Sequence, residues 1–337
     1  MRVTLSVREL TELVTTALEN NGFSPKNARV IAQTVVAGER DGAMSHGLFR
    51  VAGYISDVNS GWVDGKAEPS VHDVAPGAIV VDANNGYCQP GYQASRDLLI
   101  EKARTNGIAT LVIRNSHHLA ALWPEVEALA EAGLIGLAFR NARPYVLPWG
   151  GKRKIFGTNP MAFACPSRSG APIVWDQAAS FMARGEIQLA AQHGERVPEG
   201  AGVDREGKLT TDPKAILEGG AQLPFGAHKG SMIALMVEVL AAAATGSALS
   251  VEDRAGQVAG AVSGRGGELI IAIDPAVTAG DGFVDTLERL LESLRGNGNA
   301  RIPGERRRAA RARSLAHGIE VEESMLARLR ELAGDGG

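Results

Sequence analysis

Three scarcities narrow the class of this chain. There are two cysteines, Cys88 and Cys165. Two thiols cannot build a disulfide framework or a four-cysteine zinc site. There is little net charge: 35 basic against 38 acidic side chains give −3. A dedicated nucleic-acid coat protein needs a strong basic excess, so nucleic acid is not an expected partner. No apolar run reaches the roughly 18 to 20 residues that a bilayer-spanning helix requires, so no membrane partner is expected. The nearest run, Gly230 to Gly246, is broken by Glu238 and reads as a buried core helix. Near the start, Arg2 is followed by Glu9, Glu12 and Glu19 with no apolar stretch. A signal peptide is therefore not expected, and the cytoplasm is the expected compartment.

Familiar motifs are missing too. No G-x-G-x-x-G follows a strand, so the usual dinucleotide fingerprint is absent. Gly202 to Lys208 matches G-x-x-x-x-G-K, but Leu209 stands where a P-loop places Ser or Thr, and the stretch is polar. Neither H-E-x-x-H nor G-x-S-x-G occurs.

What is present suits a globular enzyme. The 337 residues correspond to about two domains at roughly 150 residues each. Hydrophobic residues at 45% and charged ones at 22% exclude a disordered or fibrous chain. The opening is helical. Ser6 and Glu9 fit a capping box, ahead of Leu10, Leu13, Val14 and Leu18 at helical spacing. Ser24-Pro25 starts a second helix carrying Ile31, Val35 and Val36, and a third is expected between Gly47 and Trp62. After about residue 66 short apolar runs between turn residues read as strands: Ala78 to Asp82, Ile108 to Arg114, Leu134 to Asn141, Ile173 to Asp176 and Glu268 to Asp274. Helical stretches lie between them, at Gln93 to Thr105, Leu119 to Ala132 and Gly226 to Thr245. The alternation predicts an α/β or α+β layered domain. From Gly282 the chain is helical again, broken at Pro303-Gly304. The expected division is a helical domain from both chain ends (1–65 and 282–337) flanking an α/β domain (66–281).

Several polar clusters can carry chemistry. Ser45-His46-Gly47 lies at a helix–loop border with Arg50 four residues on. In a helical segment the His46 and Arg50 side chains share a face. A histidine exchanges protons near neutral pH, and an arginine fork holds a carboxylate through two parallel bonds. Reduction of a 2-oxo or 2-imino acid needs both; a surface histidine beside an ion-paired arginine fits the spacing as well. Asn115-Ser116-His117-His118 follows a strand directly. Such a cluster opening a helix is where open α/β sheets bind ligands, anions included. The alternative is that Asn115 or Ser116 simply caps the next helix. Adjacent histidines on a helix point to different sides, so no metal site is expected.

Gly157 to Pro160 is a turn by composition. Asp176 ends a buried-looking strand, and Arg184 and Glu186 follow on an expected helix. A carboxylate near His46 orients the imidazole and stabilises its charged form; a solvated charge pair is the plainer reading. His228-Lys229-Gly230 opens the long apolar helix and suits a phosphate or carboxylate. Six arginines (Arg301, Arg306, Arg307, Arg308, Arg311 and Arg313) crowd one stretch without interleaved aromatics. A 2′-phosphate or pyrophosphate contact, or a solvated basic face, fits them better than nucleic acid.

Seven of these segments occur together and in order: Ser45 to Arg50, Asn115 to Phe139, Pro148 to Gly151, Gly157 to Ala164, Ala183 to Ala191, Leu223 to Glu238 and Arg301 to Arg307. In this the chain resembles the malate/L-lactate dehydrogenase family of non-Rossmann type. The doubled histidine followed by LAALWPEVE, with ARGE after it, is most similar to the family's reductases of Δ1-piperideine-2-carboxylate and Δ1-pyrroline-2-carboxylate. The resemblance implies the family's own NAD(P)-binding α/β fold, NADP or NAD as cofactor, and a homodimer. It implies His46 as proton donor, Ser45 and Glu186 as its relay, Arg50 on the substrate carboxylate and Thr158 as a second substrate contact. It implies cofactor contacts from His118, Leu119, Ala120, Ala121 and Leu122, from Asp176, Gln177 and Ala178, from His228 and Lys229, and from Arg301, Gly304, Arg306 and Arg307. The expected reaction is NADPH-dependent reduction of a cyclic imino acid. A malate- or lactate-type 2-oxo acid is the alternative, since it asks the same residues for the same hydride and proton. The stretch Ser247 to Gly267 departs from the family in lacking aromatic residues.

Overall fold

The structure is a computed structural model that describes residues 1–334. In chain order its elements are β1 (Arg2–Leu5), α1 (Val7–Glu19), α2 (Pro25–Arg40), α3 (Val51–Asn59), β2 (Ser70–Ala75), β3 (Ala78–Asp82), α4 (Cys88–Asn106), β4 (Ile108–His117), α5 (Trp123–Glu131), β5 (Ile135–Arg140), β6 (Met161–Cys165) and β7 (Ile173–Gln177). There follow α6 (Arg184–His193), β8 (Gly202–Val203), β9 (Leu209–Thr210), α7 (Pro213–Leu217), β10 (Ala221–Gln222), α8 (His228–Glu238), β11 (Arg265–Ile273), α9 (Pro275–Ala279), α10 (Gly282–Arg295), α11 (Glu305–His317), β12 (Ile319–Glu322) and α12 (Glu323–Leu332).

The central sheet has seven strands in the order β2-β3-β4-β11-β5-β6-β7. Only β3 and β4 run parallel; the other neighbours are antiparallel. Helices cover both faces, which is why the inner strands read as unbroken apolar runs. On β11, Ile270 joins the core under α4 and α5 with Leu111, Leu129 and Ala138, while its neighbour Ile271 faces Phe139, Val237 and Ala241 on the α8 side.

A second core joins α1, α2 and α3 (Leu10, Ile31, Val35, Tyr54) to the chain's other end through Ile319, Val321, Leu326 and Leu329. In contrast, α10 lies against the sheet, with Leu291 and Ile302 packed on Cys165 and Ile173.

Local signals place several elements well. Glu9 N–H donates to Ser6 Oγ at 3.1 Å and Ser6 N–H to Glu9 Oε2 at 2.8 Å, the reciprocal box expected at α1. Seven strands are absent from the sequence reading: β8, β9 and β10 are two residues each and pair in a small separate sheet, and four others are missing as well. β1 and β12 are four residues each and exist by pairing with one another. β2 is a largely exposed edge strand, and β6 was read only as a segment after a turn. The expected helix at 119–132 begins only at Trp123, because β4 runs on to His117. The capping alternative for Asn115 and Ser116 is therefore overturned: Asn115 Nδ2 donates to Asp82 Oδ1 at 2.9 Å, and Ser116 Oγ accepts from Arg140 Nη1 at 2.6 Å.

Candidate active site

The segment between α2 and α3 makes two single 3-10 turns, Met44–His46 and Leu48–Arg50, rather than one helix face. The turn geometry still brings the expected pair together. Ser45 Oγ lies 3.0 Å from His46 Nδ1, and Arg50 Nε donates to the Ser45 carbonyl at 2.7 Å. Gln188 Oε1 accepts from Arg50 Nη1 at 3.4 Å. The close approach depends on Gly185, the second residue of α6. A Cβ there would sit 2.4 Å from Arg50 Nη2 and 2.9 Å from the Ser45 carbonyl oxygen.

Burial decides the charge states here. His46 is pushed down to about 3, first by burial and then by the Arg50 guanidinium. The ring is therefore neutral at physiological pH. Burial also lowers Arg50 to about 10, and it stays charged. No ion pair neutralises Arg50 among the described residues, so its guanidinium faces the cleft as a free cation in a water-poor setting. A carboxylate is its natural complement.

Thr158 is set by its neighbour. Asn159 is fully buried with φ +42. Its Oδ1 accepts from Ala142 N–H at 3.2 Å, and its Nδ2 donates to the Ala234 carbonyl at 3.0 Å and Glu238 Oε1 at 2.8 Å. Glu238, which interrupts the apolar helix, is thus the buried acceptor that holds this turn; it also accepts from the Ser250 hydroxyl and from Ser250 N–H.

Ser45, His46, Arg50, Thr158 and Gln188 line one cleft of about 1270 Å³. It also gathers His118 to Leu122, Asp176 to Ala178, Glu186, Arg301, Gly304, Arg306 and Arg307. His228 and Lys229 are exposed at the start of α8 and do not line it. Glu186 reaches the cleft, but its Oε2 accepts from Ala183 N–H at 3.2 Å, closing the first turn of α6. No bond to Ser45 or His46 is formed among the described residues.

Asp176 lies at the end of β7 and caps α5 from outside. Its Oδ2 accepts from Leu122 N–H at 2.7 Å and Trp123 N–H at 3.2 Å, and burial lifts its carboxyl to about 6. The arginine cluster divides. Arg308 donates to the Pro172 carbonyl, and Arg311 is held by Asp41 and Glu127. Arg307 stacks its guanidinium 4.3 Å over the Trp123 ring and leaves Nη1 buried without a partner. The doubled histidine divides as well. His117 is buried between Ser263 Oγ at 3.0 Å and Asn85 Oδ1 at 3.1 Å, while His118 lines the cleft.

Further cleft residues went unread in the sequence: Arg140, Arg143, Tyr145, Gln188 and Val262 to Gly264. Arg184 stacks 3.6 Å over Tyr145. Arg140 ends β5 and Arg143 and Tyr145 follow it, the position that flagged Asn115 to His118 and that applies here equally. Val262 and Ser263 are held by Asp57 of α3, whose carboxylate accepts from both N–H groups. Nothing local in the sequence marks that link.

A dinucleotide fits this cleft. The volume exceeds the roughly 300 to 1,000 Å³ of ordinary small-molecule pockets. The unpartnered Arg307 Nη1, with Arg301 and Arg306 beside it, offers guanidinium donors to ionised phosphates without a glycine-rich turn. A family model described as malate/L-lactate dehydrogenase matches residues 5–330. The chain belongs to the malate/L-lactate dehydrogenase family. It is an oxidoreductase. It is 49% identical to a Δ1-pyrroline-2-carboxylate/Δ1-piperideine-2-carboxylate reductase of Pseudomonas syringae pv. tomato, over 98% of this chain and 96% of that one. The crystal structure of Δ1-piperideine-2-carboxylate reductase from that organism superposes with a TM-score of 0.95 at 48% identity, covering 98% of this chain and 99% of the other. A (2R)-3-sulfolactate dehydrogenase (NADP(+)) of Chromohalobacter salexigens is 39% identical over 98% of each chain.

Proposed function

We propose that this family member is an NADPH-dependent reductase of cyclic imino acids, converting Δ1-piperideine-2-carboxylate and Δ1-pyrroline-2-carboxylate to L-pipecolate and L-proline. The observation that carries the reading is the buried pair of a neutral His46 and an unpaired Arg50 in one cleft, in a chain nearly half identical to reductases of those imines. When bound, the nicotinamide cofactor supplies the hydride for C2 of the substrate.

The chain's own residues orient the substrate and move the proton. Arg50 grips the carboxylate and Thr158 steadies it, so that C2 has one fixed orientation. With Nδ1 accepting from the Ser45 hydroxyl, the His46 proton sits on Nε2. Donating it to the imine nitrogen while Nδ1 takes the Ser45 proton keeps the ring neutral on both sides of the step. Glu186 completes the relay by leaving Ala183 N–H and passing one proton from solvent to the Ser45 oxygen, which restores the hydroxyl. Arg301, Arg306 and Arg307 around Gly304 would hold the cofactor's phosphates, with His118 to Leu122 and Asp176 to Ala178 as its other contacts in the cleft and His228 and Lys229 as expected contacts outside it. A homodimer is supported by an exposed apolar stripe on α8 and just beyond it, formed by Met232, Leu235 and Val239 beside Trp149. Such a patch is rare on a surface that stays bare.

The test is NADPH oxidation with the two cyclic imines against pyruvate and oxaloacetate, repeated with NADH. Preference for the imines by kcat/KM is expected; a preference for 2-oxo acids would turn the reading to the hydroxy-acid reductases, which the 39% relative supports. The variant His46→Ala should lose kcat far more than KM.

A further inference from the structure

Beneath the cleft lies a second polar cluster that the relay above does not use. Cys88 is the first residue of α4, His118 follows β4, and Glu268 is on β11. One ligand-type atom from each, a thiol sulfur, a ring nitrogen and a carboxylate oxygen, lies within 4.8 Å of the other two. The strand geometry brings them together. Where β4 pairs with β11, Gly266 faces Ser116 but Glu268 faces Ile113, and Asn115 in the resulting bulge has φ +51. A bulge re-aims the side chains beside it. Of the two adjacent histidines only His118 joins the cluster, because both nitrogens of His117 are engaged by Ser263 and Asn85.

The polar atoms of the cluster lack partners. Cys88 and Glu268 are fully buried, and neither carboxylate oxygen of Glu268 has a hydrogen bond. His118 Nε2 is buried and single as well. Buried polar atoms left single are rare in proteins, so each calls for a partner. Arg140 is not that partner. It stands opposite Glu268 on β5, but its guanidinium donates to Ser116 Oγ at 2.6 Å and to the Ser116 carbonyl at 2.8 Å.

We propose that Cys88, His118 and Glu268 are three ligands of a binding site for a divalent transition metal of the zinc type. Thiolate and imidazole select such an ion, whereas magnesium and calcium take oxygen ligands. Metal–ligand bonds of about 2.0–2.3 Å set the donors of a tetrahedral ion about 3.3–3.7 Å apart, so a set within 4.8 Å closes on one ion by shifts of about 1 Å. The unbonded Glu268 carboxylate is free to turn by that much. Burial favours the protonated thiol and carboxyl; as the bonds to the metal form, both protons pass to solvent. The thiolate and carboxylate then cancel the two charges of the ion, so the Arg140 guanidinium meets no added net charge. His118 lines the cleft, which gives the ion its way in, and coordination fixes that ring in the cleft wall. Nothing in this proposal depends on the imine-reductase reading.

The experiment loads metal-free full-length protein with Zn²⁺ or Co²⁺, removes the excess by gel filtration and counts the bound metal by elemental analysis. Wild type should hold one equivalent per chain and melt at a higher temperature than the metal-free form. Its Co²⁺ form should show the sulfur-to-metal charge-transfer band of a thiolate ligand. Cys88→Ser should lose that band. Cys88→Ser and Glu268→Gln should each bind Zn²⁺ at least about tenfold more weakly in competition with a chromophoric chelator. His72→Gln, changed on the exposed edge strand β2, should bind Zn²⁺ as wild type does. A wild type that retains no equivalent overturns the proposal, whether or not the variants fold. So does a Co²⁺ form without the thiolate band, an unchanged Zn²⁺ affinity in Cys88→Ser and Glu268→Gln, or a loss in His72→Gln equal to theirs.

Discussion

Gly185 packs closely on Arg50 and Ser45, and that contact permits a test that removes no functional group. In Gly185→Ala the new methyl carbon would start 2.4 Å from Arg50 Nη2, 2.9 Å from the Ser45 oxygen and 3.1 Å from Ser45 Cβ. Ordinary contacts sit at about 3.5–4.0 Å, so the guanidinium must retreat by roughly 1 Å and the Ser45 backbone by about half that. A displacement of about 1 Å costs up to about 10²-fold in rate, or about 2.7 kcal/mol at the transition state. The backbone itself tolerates alanine: Gly185 lies within a helix at an ordinary φ, and alanine gains up to about 1 kcal/mol there. The expected outcome is a fall in kcat/KM for the imine of about 30- to 100-fold, with a raised KM, at a melting temperature within a few degrees of wild type. Steady-state kinetics and a thermal melt on the same preparation decide it. A variant with wild-type kcat/KM would show that Arg50 and Ser45 need not stay where the structure has them, and the carboxylate-clamp argument would fall.

Other expectations follow from individual contacts. Asn159→Ala leaves the half-buried Ala142 N–H without its acceptor and takes one donor each from the buried Ala234 carbonyl and Glu238 Oε1, the latter still bonded to Ser250; it should lower stability by about 1–3 kcal/mol, and a urea midpoint equal to wild type would refute that role. His46 and His117 are both held down to about 3 by burial. Their folded values lie below the unfolded one, so the unfolded chain takes up protons first: stability is complete above about pH 6.5 and is lost as pH falls toward 3, at about 1.4 kcal/mol per unit for each ring. His117→Gln should make the decline between pH 6.5 and 5 shallower, and parallel wild-type and variant curves would exclude His117 as a source. Arg306→Ala should raise KM for NADPH by about tenfold and leave KM for NADH alone, if its guanidinium meets the 2′-phosphate; equal effects on both cofactors would assign it elsewhere.

The fold was legible where burial is two-sided or a cap is local. Ala78 to Asp82 was read to the residue as β3, because four apolar residues in a row between turn residues mark a strand with little exposure on either face. The α1 capping box spans three residues and needs no distant partner. The edge strand β2 and the β1–β12 pair failed the same reading for the converse reason: an exposed or half-exposed strand of four to six residues carries little apolar signal.

The site was legible as chemistry and not as geometry. His46 and Arg50 stood out as a proton carrier beside a carboxylate fork, and they do lie together. The helical face assumed for them is instead two 3-10 turns, and what holds them is Gly185 from a different part of the chain. Glu186 reaches the cleft but caps its own helix.

The amino-acid order alone determined which stretches form strands and helices, and which side chains can hold a carboxylate, a phosphate or a proton, since these follow from each residue and its near neighbours. Only the tertiary structure decided that Asp176 caps α5, that Asp57 holds Val262 and Ser263, that one of two adjacent histidines faces the cleft while the other is enclosed, and that Arg184 at the start of α6 shares a cleft with Arg50 between α2 and α3. Those outcomes depend on contacts between segments far apart along the chain. Hydrogen bonds and burial act over a few ångströms in space, and local sequence pattern carries no record of which distant segment will come within that reach.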